Sequence, residues 1–96
     1  MQFLTLLARH PDKVDALVPP DLREAEFEMV RRYYADRFVQ QIWLRGDAAG
    51  ACMIVEAASS EEVAEKLSAL PLVRAGFLQT HLIAPLLPYS GFAPRA

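Results

Sequence analysis

Cysteine occurs once in this chain and histidine twice, and that scarcity removes several kinds of chemistry at the outset. One thiol, Cys52, excludes an intramolecular disulfide and a cysteine cluster for zinc; inside the apolar run ACMIV it reads as a small buried hydrophobe. His10 and His81 lie on separate segments without metal-ligand spacing, so no metal is expected. Basic residues do not outnumber acids, 10 against 12, which argues against a nucleic-acid surface. No apolar run approaches the ~20 residues of a membrane span. The opening MQFLTLLARH has no charged region ahead of its apolar residues and reads as a strand, not a leader. Gly-rich phosphate loops, nucleophile elbows and Ser/His/Asp arrangements are missing, since GDAAG is too short and sits in a hairpin. The expectation is a cytoplasmic protein with no nucleic-acid or membrane partner.

What is present is an apolar-rich chain of 96 residues, 53% hydrophobic, with a formal charge of −2. A chain of that size makes one domain, residues 1–96 with 87–96 as a tail. It buries only about 60–65% of its unfolded surface, so a partner chain would help it. The run from Gln2 to Ala8 reads as a first strand, and Pro11, Pro19 and Pro20 mark a loop after it. Asp21, with Glu24 three residues on, signals the start of a helix running to about Ala35. FVQQIWLR, GDAAG and ACMIVEA make a hairpin of two strands. SSEEVAEKLSAL has Ser59 or Ser60 as a cap and Val63, Ala64, Leu67 and Leu70 at helical spacing, until Pro71 blocks continuation. GFLQTHLIAPLL is a fourth strand, and PYSGFAPRA a proline-broken tail with no element of its own.

The order is β-α-β-β-α-β, a ferredoxin-like α+β plan with a four-stranded antiparallel sheet and both helices on one face. Strict alternation places Phe38, Gln40, Ile42 and Leu44 on one side of the second strand and Val39, Gln41, Trp43 and Arg45 on the other. The third strand divides into Ala51, Met53 and Val55 against Cys52, Ile54 and Glu56. Both faces are substantially apolar, whereas two helices cover only one. The expected cover for the other is a second copy of the sheet, giving a homodimeric α/β barrel or a higher homo-oligomer.

The features that identify a family are QIWLRGDAAGACMIVEAAS, the helix-two stretch from Val63 to Leu72 and the proline-containing end. Trp43 late in the second strand, Glu56 ending the third, Leu70-Pro71-Leu72 and the Glu26/Glu28 pair resemble the muconolactone Δ-isomerase family over nearly the whole chain. The sequence departs from that family at Trp43-Leu44-Arg45-Gly46-Asp47 and in a tail that lacks the family's histidine. The resemblance implies the dimeric barrel and a double-bond shift in a small unsaturated lactone, or related carbonyl acid of catabolism, without metal or cofactor. Such a shift needs a carboxylate that carries a proton, with a pKa raised by apolar surroundings.

Helical spacing puts Leu22, Ala25, Met29 and Tyr33 in one stripe, and Glu26 falls ~40° from its middle. Two readings of Glu26 stand open. It either snorkels to water or pairs with Arg23 or Arg37, or it lines the cleft under helix one as acid/base. His81, in LQTHLIA, is a core or subunit-contact histidine or a second catalytic group. His10 ends the first strand at the cleft rim. Arg9, Arg45 and Arg74 are the expected counter-charges for an anionic ligand, and Trp43 and Tyr33 could wall a flat ring. A non-catalytic small-molecule binder and a cofactor-independent monooxygenase using His81 are the alternatives.

Overall fold

The computed structural model describes residues 1–92. Its elements in chain order are β1 (Gln2–Arg9), α1 (Pro20–Ala35), β2 (Val39–Leu44), β3 (Gly50–Glu56), α2 (Ser60–Ser68), a one-turn α3 (Pro71–Arg74) and β4 (Leu78–Pro85). Single 3-10 turns at Pro11–Lys13 and Ser90–Phe92 complete it. The strands form one antiparallel sheet in the order β2-β3-β1-β4, which is the ferredoxin-like arrangement expected. No helix among the described residues is long and apolar enough to cross a membrane.

Register decides which side chains meet the helices. Phe3, Thr5 and Leu7 of β1 stand opposite Val55, Met53 and Ala51 of β3, and directly opposed residues share a face. Phe3, Leu7, Met53 and Val55 form one core with Phe38 and Val39, with Val63, Leu67 and Leu70 from the α2 side, and with half-buried Met29, Val30 and Tyr33 of α1. Burying an aliphatic or aromatic side chain of this kind is worth about 1.5–3 kcal/mol. Thr5 is fully buried among them, and its hydroxyl donates to the Met53 carbonyl at 3.1 Å, so its polarity is satisfied.

Strict alternation fails in two strands. In β2, Val39 pairs with Val55 and Gln41 with Ile54, so Gln40 is an extra residue in a bulge. Phe38 and Val39 are consequently both buried, and Ile42 and Leu44 return to the helix side opposite Met53 and Ala51. In β4, Leu82 pairs with Leu6 and Thr80 with Leu7, which makes His81 the unpaired residue. Ile83 and Gln79 therefore lie on different faces, not on one as the alternation predicts. A bulge inserts one residue without a sequence signature as plain as a glycine or proline, and it reverses the parity beyond it.

Helix ends differ from expectation in two places. Helix α1 begins at Pro20 with Pro19 in the cap position and no side-chain cap, so Asp21 sits in the first turn instead of capping it. Proline at the first helical position loses no hydrogen bond and already has helical φ, which moves the start forward. Pro71 ends nothing: α2 stops at Ser68, and Pro71 opens α3. Of the two serines ahead of α2, Ser59 is the cap, accepting from the Glu62 amide at 3.2 Å. The tail contains the turn at Ser90–Phe92; residues 93–96 lie outside the described residues.

The far face of the sheet carries Leu4, Leu6 and Ala8 of β1, Cys52 and Ile54 of β3, Trp43 of β2, and Leu82 and Ala84 of β4. Among the described residues no helix packs there, and Trp43 is 51% exposed. The tail beyond β4 also exposes Leu87, Tyr89 and Phe92.

Candidate functional site

Between α1 and the sheet lies a cavity of about 380 Å³, within the lower range of small-molecule sites. Helix α1 supplies Glu26, Phe27, Val30 and Arg31, β2 supplies Ile42 and Leu44, β3 supplies Gly50 and Ala51, and Leu72 and Leu78 close it. The register beyond the β2 bulge puts Ile42 and Leu44 on the helix side of the sheet, where Leu44, 89% exposed, stands at the cavity rim. Gly50 has φ of +151°, and a Cβ there would strike the Leu7 carbonyl, so only glycine lets β3 pass β1 so closely at the cavity floor.

Glu26 is the one buried residue of α1, 7% exposed. Leu22, Met29, Val30 and Tyr33 are its partly buried companions while Ala25 is exposed, which rotates the inward stripe so that Glu26 lies near its middle. The carboxylate makes no ion pair with Arg23 or Arg37 among the described residues. Its Oε1 accepts from the Leu72 amide at 3.0 Å. That amide belongs to the first turn of α3, where Leu70 in the cap position offers no side-chain acceptor, so Glu26 satisfies an orphan donor of another helix. Oε2 takes no hydrogen bond among the described residues. Burial pushes the Glu26 carboxyl above the usual carboxylate range, and the Leu72 amide opposes that shift only in part. A carboxyl with one oxygen anchored and its charge disfavoured by apolar walls is suited to accept and return a proton.

The other expected site residues are placed as follows. Tyr33, two turns further along α1, donates its hydroxyl to the Lys66 carbonyl at 2.8 Å and stacks edge-on against Phe38. Its hydroxyl pKa is raised by burial first and by the Glu26 charge second, which puts the two side chains in one neighbourhood. Trp43 stands opposite Cys52 on the far face of the sheet, away from the cavity. Arg45 clamps Asp47 through two hydrogen bonds of 3.0 and 2.8 Å, and this partner draws the Asp47 carboxyl down to about 2. Arg9 donates to the Lys13 and Ala16 carbonyls and lies over the Phe77 ring. His10 accepts from the Asp12 amide at 3.1 Å, and Arg74 borders a separate shallow depression with Leu22 and Ala75. His81 is exposed at its bulge and does not line the cavity.

Of the residues that line the cavity, only Glu26 is named as a site residue by the sequence reading; Phe27 and Arg31 of α1 are among those it misses. Both lie on the flank of α1, about 100° and 140° around the helix from Glu26, and border the cavity at its exposed edge. Among the described residues no group of three His, Cys, Asp or Glu side chains could hold a metal ion.

Fold and cavity together define a ferredoxin-like α+β domain with a buried acid in its helix–sheet cleft. No protein-family model and no curated protein matches the chain. Among solved structures it is similar to 5-chloro-2-hydroxyhydroquinone dehydrochlorinase from Burkholderia phenoliruptrix AC1100, in complex with 2,5-dihydroxybenzoquinone. The TM-score is 0.73 at 21% identity, over 95% of this chain and 98% of that one. The likeness establishes a shared fold.

Proposed function

We propose that this chain is an enzyme of small-molecule catabolism that moves a proton within a cyclic oxygenated compound, in the manner of a muconolactone Δ-isomerase, with Glu26 as acid/base. The observation that carries this reading is the buried Glu26 carboxyl, raised in pKa, on the wall of a cavity whose other lining residues except Arg31 are apolar. The ionised carboxylate takes a proton from carbon next to a carbonyl, and the electron pair enters the conjugated dienolate. The protonated acid then returns that proton at the far carbon. Nothing else is gained or lost, so the chain's own residues suffice. The similar dehydrochlorinase, whose solved complex holds a small oxygenated ring, supports the size and kind of ligand.

The test is deuterium exchange from solvent into muconolactone and related unsaturated lactones. Glu26→Gln keeps an acceptor for the Leu72 amide but carries no proton, so exchange should slow by about 10²- to 10⁴-fold. In the wild type, exchange should decline as pH falls through the raised Glu26 pKa, because the base is then protonated. Exchange that survives Glu26→Gln unchanged sinks the mechanism.

We also infer that a second copy of this chain covers the far sheet face. The face carries few charges to recruit a differently charged partner, and a two-fold axis makes such a surface its own complement. The exposed Leu87, Tyr89 and Phe92 of the tail offer further apolar area to a neighbouring subunit.

A further inference from the structure

Among the described residues, the buried wall of the cavity offers a ligand one polar side-chain atom without a partner, Oε2 of Glu26. We propose that this site selects an uncharged ring compound whose single polar group meets Glu26, and rejects carboxylate-bearing rings of the same shape. The inference deepens the reading of Glu26 as acid/base, rests on it, and reverses the expectation of an anionic ligand held by an arginine.

The three arginines expected as counter-charges are placed elsewhere. Arg9 donates to two backbone carbonyls, Arg45 is clamped by Asp47, and Arg74 borders a different depression. Arg31 does line the cavity, but it stands about 140° around α1 from Glu26. Its guanidinium turns to Glu24 at 3.5 Å, and both side chains are largely exposed, 65% and 68%. Glu24 lies about 160° around the helix from Glu26, so the pair holds its charges toward water on the outer side. An arginine matched by a carboxylate in such high-dielectric surroundings exerts little pull on a group seated inside.

Within the buried wall the one ionisable side chain is an acid. Glu26 is 7% exposed; its Oε1 is held by the Leu72 amide at 3.0 Å, and Oε2 takes no hydrogen bond among the described residues. A hydroxyl or amide group of a ligand satisfies Oε2 without adding charge. A ligand carboxylate would leave water for apolar walls and meet a like charge there, which is strongly unfavourable without a paired cation. The room for a ring comes from the sheet. On the helix side of β3 the side chains fall in size from Val55 and Met53 to Ala51, which stands opposite Leu7 and Leu44. That step opens the cavity of about 380 Å³. Of the unsaturated lactones tested for exchange, those without a carboxylate are then the expected substrates.

Benzamide and benzoate share one shape and differ by a charge, so calorimetric titration of the pair tests this at about pH 8, well above the ordinary carboxylate range. The wild-type chain should bind benzamide at least about 10-fold more tightly than benzoate. Glu26→Gln, which removes the like charge, should narrow that gap to about 3-fold or less, and Arg31→Gln should leave both affinities within about 2-fold. Ala51→Leu fills the cavity and should abolish benzamide binding; its thermal unfolding is measured alongside, and Glu26→Gln carries the test if that variant does not fold. The proposal is overturned by benzoate bound as tightly as benzamide, by no benzamide binding at millimolar concentration, or by a gap unchanged in Glu26→Gln. A benzoate affinity that falls in Arg31→Gln, or a benzamide affinity unaltered in folded Ala51→Leu, overturns it equally. None of these readouts involves turnover. Glu26→Gln that exchanges deuterium normally sinks the proton shuttle without touching the charge preference, and a preference for benzoate sinks the proposal without touching the requirement for Glu26 in exchange.

Discussion

At the scale of the residue, two opposed terms act on Glu26. A hydrogen bond from an amide to a carboxylate contributes about 1.5–3 kcal/mol, whereas withdrawing a carboxylate from water costs several. The raised pKa shows that burial outweighs the Leu72 amide. A carboxyl whose folded pKa is raised stabilises the fold fully below its unfolded pKa, and that contribution is lost as pH rises through the folded value. Glu26→Gln should therefore raise Tm at about pH 7, and the gain should shrink toward about pH 4. Glu26→Leu, which strands the Leu72 amide, should instead lose about 1–3 kcal/mol at either pH. Thermal unfolding of the three proteins at both pH values checks the signs. Glu26 itself is legible in the sequence as an acid near an apolar stripe. Its partner is not, because Leu70-Pro71-Leu72 reads as a helix stop until the fold brings its amide 46 residues back along the chain to Oε1.

At the scale of the element, the ends of α1 and α3 are built alike. In α1 the Phe38 amide donates to the Tyr33 carbonyl and the Arg37 amide to Tyr34; in α3 the Phe77 amide donates to Leu72 and the Gly76 amide to Val73. Both are six-residue closures with a left-handed residue after the cap, and in α1 the Tyr33–Phe38 ring contact, centroids 5.1 Å apart, seals the motif. Glycine fills the left-handed position in α3, with φ of 82°, but α1 places Arg37 there with φ of 67°. A side chain in that region costs about 1–2 kcal/mol, partly offset by the flexibility glycine adds to the unfolded chain. Arg37→Gly should thus stabilise the fold by about 0.5–1 kcal/mol, read as a higher denaturation midpoint at unchanged slope. The helices and strands follow from periodicity and caps. The bulges at Gln40 and His81 do not, and the first of them decides that Val39 shares the helix side with Ile42 and Leu44.

At the scale of the molecule, the sheet has one covered face and one open one. Leu4, Leu6, Ile54, Trp43 and Leu82 stand side by side on the open face, and a contiguous apolar surface of that kind marks an interaction site. Light scattering at micromolar concentration should report a dimer or larger assembly. Leu6→Arg combined with Ile54→Arg should dissociate it by burying like charges across a two-fold axis. A wild-type monomer would overturn the second-copy reading while leaving the cavity, which lies on the other face, intact.

The sequence by itself determined the order of elements, the ferredoxin-like plan, the apolar character of both sheet faces and Glu26 as the acid to watch, because each is written in local periodicity, caps and composition. Tertiary structure alone decided which cation shares the cavity with that acid. Arg9 and Arg45 stand at promising strand ends, yet nearby carbonyls and Asp47 claim them. Arg31 looks like a solvated helix charge, and becomes a cavity residue only when α1 is rolled onto the sheet by the packing of Met29, Val30 and Tyr33. The angle of that roll is set by contacts between residues distant in sequence, which no local pattern records.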